Sequence, residues 1–422
     1  MEGTWFGPRA KRGVGRAFQR RPFRLLLAAG VASVFGFTVG QVALMWVVFS
    51  ETRSALLVAY MGIVAAAAVL LVGVAAGPLV DRYDRGRLMV IADLGRFTAL
   101  TAFVTFYSTH GFDVYWLMAT VFALGGLTSL LTPAEETSIP LLVAEEDLGQ
   151  ANGVISSSRS VSTVLGGAVA GLLLVGAGTS YGLLTCALTF LLSALLLLNL
   201  PALHPPKLAG EPHASSSFMN ELAEGFGWLA RHRDLLWLTV ASMLFNFCSL
   251  LVVGFVVFYS GILPNASPAL FGFIVASLSA GTAVGPLITL RLPSRMRSGR
   301  LLLLTYGAIP GAVAVILGLV PSIPVALTGF FLLGFSQGLA GVVWLTAAQR
   351  ATPSAIQGRI LSADSVASQA LFPVGEITGG LLVTGLGAAR AYLVAGVIWL
   401  AVSASLWAVA RGQGAGGDSS RL

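Results

Sequence analysis

Only 10% of the 422 residues are charged, and the ionisable groups that fall within or beside its long apolar runs are where chemistry has to be sought. Asp93 and Arg96 lie three apart on one helical face, Arg159 stands some ten residues into another run, and Glu135 and Glu136 close a third. All five fall toward the same end of their runs. Isolated charges at such depth must pair across helices or face a cavity, so the set reads as an ion network stapling helices together or as part of a conduction path. Glu376 is about fifteen residues into its run, roughly 22 Å along a ~30 Å apolar layer. Gly375, Gly379 and Gly380 beside it permit close helix approach. Low dielectric penalises a buried carboxylate, so Glu376 is either a carboxyl hydrogen-bonded for packing or a proton carrier. Asp364, nearer the start of the same run, is read as a cap or gate partner and, with Asp93, as a secondary proton-site candidate.

The motifs of enzymes are absent. There is no Gly-rich phosphate loop of the G-x-x-x-x-G-K type, no paired His/Cys spacing for a metal and no G-x-S-x-G elbow, so no enzyme, cofactor or metal is expected. His110, His204, His213 and His232 fall in loops or at helix ends, and Cys186 and Cys248 sit far apart in apolar runs as small core residues.

The elements that must position these groups follow from composition. At 56% apolar residues no soluble surface can be made, and runs near the ~20 residues that cross a bilayer recur along the chain. Spans are expected at 23 to 50, 54 to 80, 87 to 108, 113 to 134, 149 to 176, 180 to 200, 234 to 260, 267 to 290, 300 to 319, 323 to 347, 361 to 386 and 390 to 411. With the N-terminus inside, 21 of the 25 Lys and Arg fall in inner segments, while Arg53 and Arg390 are the outer ones. That asymmetry places both termini in the cytoplasm and the chain in the inner (plasma) membrane. The basic arm from Arg9 to Arg24 reads as a topology anchor on anionic lipid and not as a nucleic-acid site.

Five segments are expected: a basic arm over 1–22, a six-helix bundle over 23–200, a linker over 201–233, a second bundle over 234–411 and a tail over 412–422. In the linker, Phe218, Leu222, Phe226 and Leu229 share one face, as an amphipathic helix on the membrane surface would require. The halves repeat. Gly77-Pro78-Leu79 recurs 208 residues on as Gly285-Pro286-Leu287, and Gly149, Gly166, Gly171 and Gly176 recur 209 on as Gly358, Gly375, Gly380 and Gly385. A parallel six-plus-six repeat suits halves that rock about a midplane site.

The stretch Gly77-Pro78-Leu79-Val80-Asp81-Arg82-Tyr83-Asp84-Arg85-Gly86-Arg87 resembles the loop between the second and third helices of the major facilitator superfamily, with Asp84 where a second Gly is usual. This variant is similar to the branch holding macrolide efflux pumps and enterobactin exporters. Asp93-Leu94-Gly95-Arg96, Ile139-Pro140-Leu141-Leu142-Val143, Asp147-Leu148-Gly149-Gln150-Ala151-Asn152 and Gln357-Gly358-Arg359-Ile360 extend the likeness. Gly166-Gly167-Ala168-Val169-Ala170-Gly171 resembles an antiporter signature, with its Pro and one Gly missing, and in the second half Glu376 holds the Pro slot.

The resemblance implies an all-α protein of twelve transmembrane helices in two pseudo-symmetric six-helix bundles, a monomer whose partners are protons, lipid and a small molecule. It implies gate roles for Gly77, Asp81, Arg82, Arg85 and Arg87 at the inner surface, with Asp81 capping the eleventh span; a solvated loop acid is the plainer reading of Asp81. It implies a cavity walled by the first, fourth, seventh and tenth spans. Those offer Gln41, Met45, Trp46, Trp116, Met118, Asn246, Phe247, Ser336, Gln337 and Trp344 and no interior charge, which suits a hydrophobic or amphiphilic substrate as well as it suits bundle packing. Proton-driven export of such a compound is the leading expectation. A siderophore exporter, an uptake symporter and a non-transporting sensor remain open.

Overall fold

The computed structural model describes residues 20–144, 147–203, 218–289, 303–352 and 357–414. Six long helices form the first half: α1 Arg21–Thr52, α2 Ala55–Arg82, α3 Arg85–His110, α4 Val114–Leu142, α5 Leu148–Gly176 and α6 Thr179–Leu197. After α7, Phe218–Arg231, the second half holds α8 Arg233–Val253, α9 Val256–Gly261, α10 Pro268–Thr289, a π-helical turn Leu303–Ala308, α11 Ile309–Leu319, α12 Ile323–Ala351, α13 Gln357–Ser368, α14 Phe372–Leu386 and α15 Ala388–Gly414. Among the described residues eleven helices are long and apolar enough to cross a membrane, and Thr305–Leu319 is a shorter apolar one.

Side chains start several of the helices. Ser54 accepts from the Leu57 N–H at 3.2 Å, Asp84 from the Arg87 N–H at 2.8 Å, and Asp113 from the Tyr115 and Trp116 N–H groups at 2.8 and 3.0 Å, filling donors that a helix cannot satisfy itself. Gly178 and Gly387, 209 residues apart, both turn the chain between consecutive spans at positive φ, 88° and 77°. Only glycine enters that region without strain.

Four spans differ from those expected. α4 runs through Pro133 to Leu142, so Glu135 and Glu136 lie within it and do not close it. The seventh span is broken at Gly254 and Phe255, and the carbonyl of Val252 before the break accepts the Tyr392 hydroxyl at 2.5 Å. The eleventh breaks between Ser368 and Phe372, ahead of Pro373; the Ser368 carbonyl accepts from the Asn246 amide at 3.1 Å. Proline starts a helix readily and cannot continue one. The π turn precedes Pro310, whose missing N–H frees the carbonyl of Tyr306, and the buried Trp399 indole donates to it at 2.9 Å. At each of these three gaps a side chain distant in sequence fills a freed carbonyl, as an apolar surround demands.

Within the first half α1 packs on α5 and α6, α2 on α4, and α3 on α4 and α6; within the second α10 packs on α12 and α11 on α15. The repeat recurs in these pairings. Gly125 and Gly126 of α4 meet Ala65 and Val72 of α2, and Gly334 and Gly338 of α12 meet Leu278 and Thr282 of α10. The amphipathic helix α7 lies on α8 and α13: Leu229 is buried with Ile360 and Ala363, whereas Phe226 is exposed. The stretch 204–217 of the linker lies outside the described residues, as do 1–19 of the basic arm and 415–422 of the tail.

Candidate functional site

Two seams join the halves, α5 against α10 and α2 against α14. A helix pair with such small residues can approach backbone to backbone. A Cβ placed on Gly272 of α10 would lie 2.5 Å from the Gly167 carbonyl oxygen, and one on Gly171 would lie 2.8 Å from that of Pro268. Across the other seam Gly380 faces Ala55 and Ala59 of α2, and a Cβ on Gly62 would lie 2.7 Å from a Glu376 carboxylate oxygen. Gly166 and Gly375 play matching roles inside each half, against Phe35 and Thr38 of α1 and against Phe247 and Leu250 of α8, while Gly379 admits the ring of Phe255.

The repeat makes the two seams comparable residue by residue. At the offset of 209, Gly167 corresponds to Glu376, so one seam closes glycine on glycine where the other closes glycine on a carboxyl. Glu376 is buried, stands over Gly62, and has no hydrogen-bond or ion-pair partner among the described residues. It also neighbours the break at Gly254, where a Cβ would come within 3.5 Å of its second oxygen.

All these contacts lie in the half of the bundle away from the basic loops. There the Phe49 ring meets Phe258 edge-on at 5.2 Å, and Trp46 stacks with Phe271 at 6.3 Å. Toward the basic end, the α5 face that carries Gly167 and Gly171 leads to Thr163, Ser160 and Ser156. With residues of α4 they line a cavity of about 510 Å³, whose lining includes no described residue of α10.

The five charges singled out in the first half form a pair and a trio. Asp93 and Arg96, both fully buried, pair with each other; Arg96 also donates to the Ser33 hydroxyl at 2.7 Å and lies over the Phe190 ring at 4.4 Å. Arg159 holds Glu135 at 2.7 Å and approaches Glu136 at 3.9 Å. Gly30 gives Glu135 its room on α1. Asp364 accepts from Thr239 of α8, within its own half.

At the basic end, Arg82 and Arg87 are exposed, and Arg85 is buried with its guanidinium on the Thr137 carbonyl at 2.7 Å. Gly77 and the side chain of Asp81 lie outside the described residues. Asp84 has a role the sequence did not reveal. Besides capping α3, it accepts from the Leu203 N–H at 2.6 Å, and the Arg85 N–H donates to the Leu203 carbonyl at 3.2 Å, tying the exit of the sixth span to this loop.

Of the residues expected to wall a cavity, Gln41 is exposed and Trp46 sits at the closed end. Trp116 stacks on Phe106 of α3 at 4.9 Å, within its own half. Asn246 bridges the Tyr306 hydroxyl (2.7 Å) and Ser368, Gln337 donates to Ser249 at 2.7 Å, and Phe247 packs on Gly375. Trp344 joins the cluster of Leu229 and Ile360 beneath α7. Trp399 and Tyr392 fall outside the expected set, because what they satisfy is a backbone gap that the sequence does not display. Among the described residues no cluster of three His, Cys, Asp or Glu could hold a metal ion.

Known proteins agree with this architecture. Residues 25–376 match the Major Facilitator Superfamily. An uncharacterised MFS-type transporter, YfiS of Bacillus subtilis, is 27% identical over 349 residues, covering 79% of this chain and 80% of its own. The enterobactin exporter EntS of Escherichia coli O1:K1 is 28% identical over 74% of this chain and 72% of its own. Macrolide efflux protein A of Streptococcus pyogenes is 24% identical over 90% and 94%. Among solved structures, a variant of the nucleoside transporter NupG superposes with a TM-score of 0.74 at 11% identity, over 92% of this chain and 99% of that one. The peptide transporter POT in complex with sulfate gives 0.73 at 14%, over 93% and 94%. A multi-pass membrane protein of two repeated six-span halves, this chain belongs to the major facilitator superfamily of transporters.

Proposed function

We propose that the chain exports a small hydrophobic or amphiphilic compound from the cytoplasm by alternating access, with proton antiport as the driving force and Glu376 as the proton site. The observation that carries this reading is the position of Glu376. It is a lone carboxyl inside a seam that must open and close, at the place where the companion seam has glycine. Opening such a seam exposes the carboxyl to water, and closing it removes that water, so the proton balance of the group follows the conformational cycle. Similarity to exporters of enterobactin and macrolides supports the outward direction, and the excess of Lys and Arg at one end of the bundle supports cytoplasmic termini in the plasma membrane. On that orientation the closed end faces outward and the cavity beside α5 faces the cell interior.

The test is uptake of a lipophilic dye into everted membrane vesicles under an imposed pH gradient. Glu376→Gln abolishes gradient-driven uptake while protein abundance in the membrane is unchanged. A variant that keeps the wild-type pH dependence removes Glu376 from the mechanism. Thiol labelling between Arg82 and Arg87 that succeeded only from outside would overturn the orientation.

A further inference from the structure

The cavity at the basic end of α5 is a site for which the packing above gives no purpose. Its polar lining is Glu136 of α4 with Asn152, Ser156, Arg159, Ser160 and Thr163 of α5, over apolar Ile139 and Ile155. At about 510 Å³ it has the size of a small-molecule pocket. Two of its hydroxyls are one-sided, facing it as acceptors, while the Asn152 amide can also donate. Ser160 donates to the Ser156 carbonyl at 3.1 Å and Thr163 to that of Arg159 at 3.0 Å, which spends their protons and leaves lone pairs toward the cavity.

The charge is one-sided as well. The Arg159 guanidinium is committed to the buried Glu135 at 2.7 Å, whereas Glu136, 3.9 Å away, has a side chain 60% exposed. Two carboxylates thus share one cation. The Asp93 and Arg96 pair deeper in the half is neutral by itself, and Arg85, bound to the Thr137 carbonyl, does not line the cavity. Among the described residues the facing side of α10 adds no charge. Continued at helical spacing from Gly272 and Ala276, the facing side of α10 presents Ser279, Ala283 and Leu287, all uncharged.

We propose that this cavity is the entry site for the substrate and that it selects an amphiphilic cation, whose protonated or quaternary amine sits against Glu136 while its apolar part lies on Ile139 and Ile155. Rocking α10 onto this face would strip water from the Glu136 carboxylate. A bound cation replaces that water, so an occupied site closes more readily than an empty one. The inference rests on the export reading for the direction of travel alone.

The probes are 4-phenylbutyltrimethylammonium and its neutral carbon isostere, with a tert-butyl end, titrated calorimetrically into the purified full-length protein in nanodiscs of uncharged lipid. The wild type binds the ion about tenfold or more tightly than the isostere, the scale of one contact to a charged group. Glu136→Gln removes that preference and leaves the isostere's affinity unchanged, and Glu136→Asp retains most of it. An unchanged melting temperature for both variants shows that they are folded. A wild type that does not distinguish the probes, or a Gln variant that still does, overturns the site. An ion bound through Glu136 but never moved across a vesicle membrane overturns the export reading and leaves the site standing.

Discussion

Adding one methyl group at Gly272 tests whether the α5–α10 seam is what holds the far end of the bundle shut. The new Cβ would stand 2.5 Å from the Gly167 oxygen and 2.6 and 2.7 Å from the Gly171 Cα and N, all backbone atoms that no rotamer change can move. The helices must separate by roughly 1 Å to restore normal packing. Such overpacking costs about 1–3 kcal/mol; the helix-propensity gain of alanine over glycine is common to both arrangements and cancels from their balance. A cost of 1.4 kcal/mol is about tenfold in the balance between the two arrangements of the halves. Because the clash exists only while this seam is closed, it favours the arrangement that is open at the far end. Gly272→Val extends the series with a larger wedge. The assay is spin-label distance measurement between Ser156→Cys and Val284→Cys, on the basal parts of the two helices; native Cys186 and Cys248 are buried and give little background. The short-distance population grows from wild type to Gly272→Ala to Gly272→Val. Gly176→Ala, on the same α5 but with nothing within 4 Å of its Cβ, leaves the distribution unchanged. Equal distributions across the Gly272 series would show that the seam does not set the balance.

Two further predictions concern stability. Arg96→Met strands the fully buried Asp93 and lowers stability by about 3–5 kcal/mol, whereas Asp93→Asn combined with Arg96→Met recovers most of it, because an unpaired buried charge is worse than none. The two buried cysteines make the measurement direct: a thiol-reactive dye in detergent reports unfolding as they become exposed, and a double variant no better than the single would contradict the pairing. Asp84→Ala removes the cap of α3 and the acceptor of the Leu203 N–H, a loss of about 1–2 kcal/mol. It lowers the melting temperature and speeds proteolysis just after Leu203, and a wild-type cleavage rate would show that the segment is held elsewhere.

The spans were legible because hydrocarbon thickness imposes a length that composition alone reports. The repeat was legible because glycines that touch backbone tolerate no replacement, as at Gly167, Gly171 and Gly380. The breaks were not. Gly254 and Pro373 are visible as residues, but α4 runs straight through Pro133, so a breaker alone does not decide. What decides is whether some distant side chain can satisfy the freed carbonyl, as Tyr392 does for Val252 and Asn246 for Ser368. The same distance hid Ser33 as the partner of Arg96 and Leu203 as that of Asp84. Depth in an apolar run revealed which charges need partners; it did not reveal which partners they have.

Two identical halves could rock about a two-fold axis without any preference for one chemical signal, since each seam would respond as the other does. The exchange of Gly167 for Glu376 at matching positions removes that equivalence. The α5–α10 seam has no titratable group at its closest approach and is governed by steric fit alone. The α2–α14 seam closes over a carboxyl, and on the proton-antiport proposal its stability follows whether that carboxyl carries a proton. The break at Gly254 lies beside it. On the proton-antiport proposal, a seam sensitive to the ion beside one indifferent to it lets protonation bias one conformational step without acting directly on the other. The asymmetry therefore predicts an ordering. Gly62→Ala, which crowds Glu376, alters the proton dependence of transport, whereas Gly272→Ala alters its rate without moving that dependence.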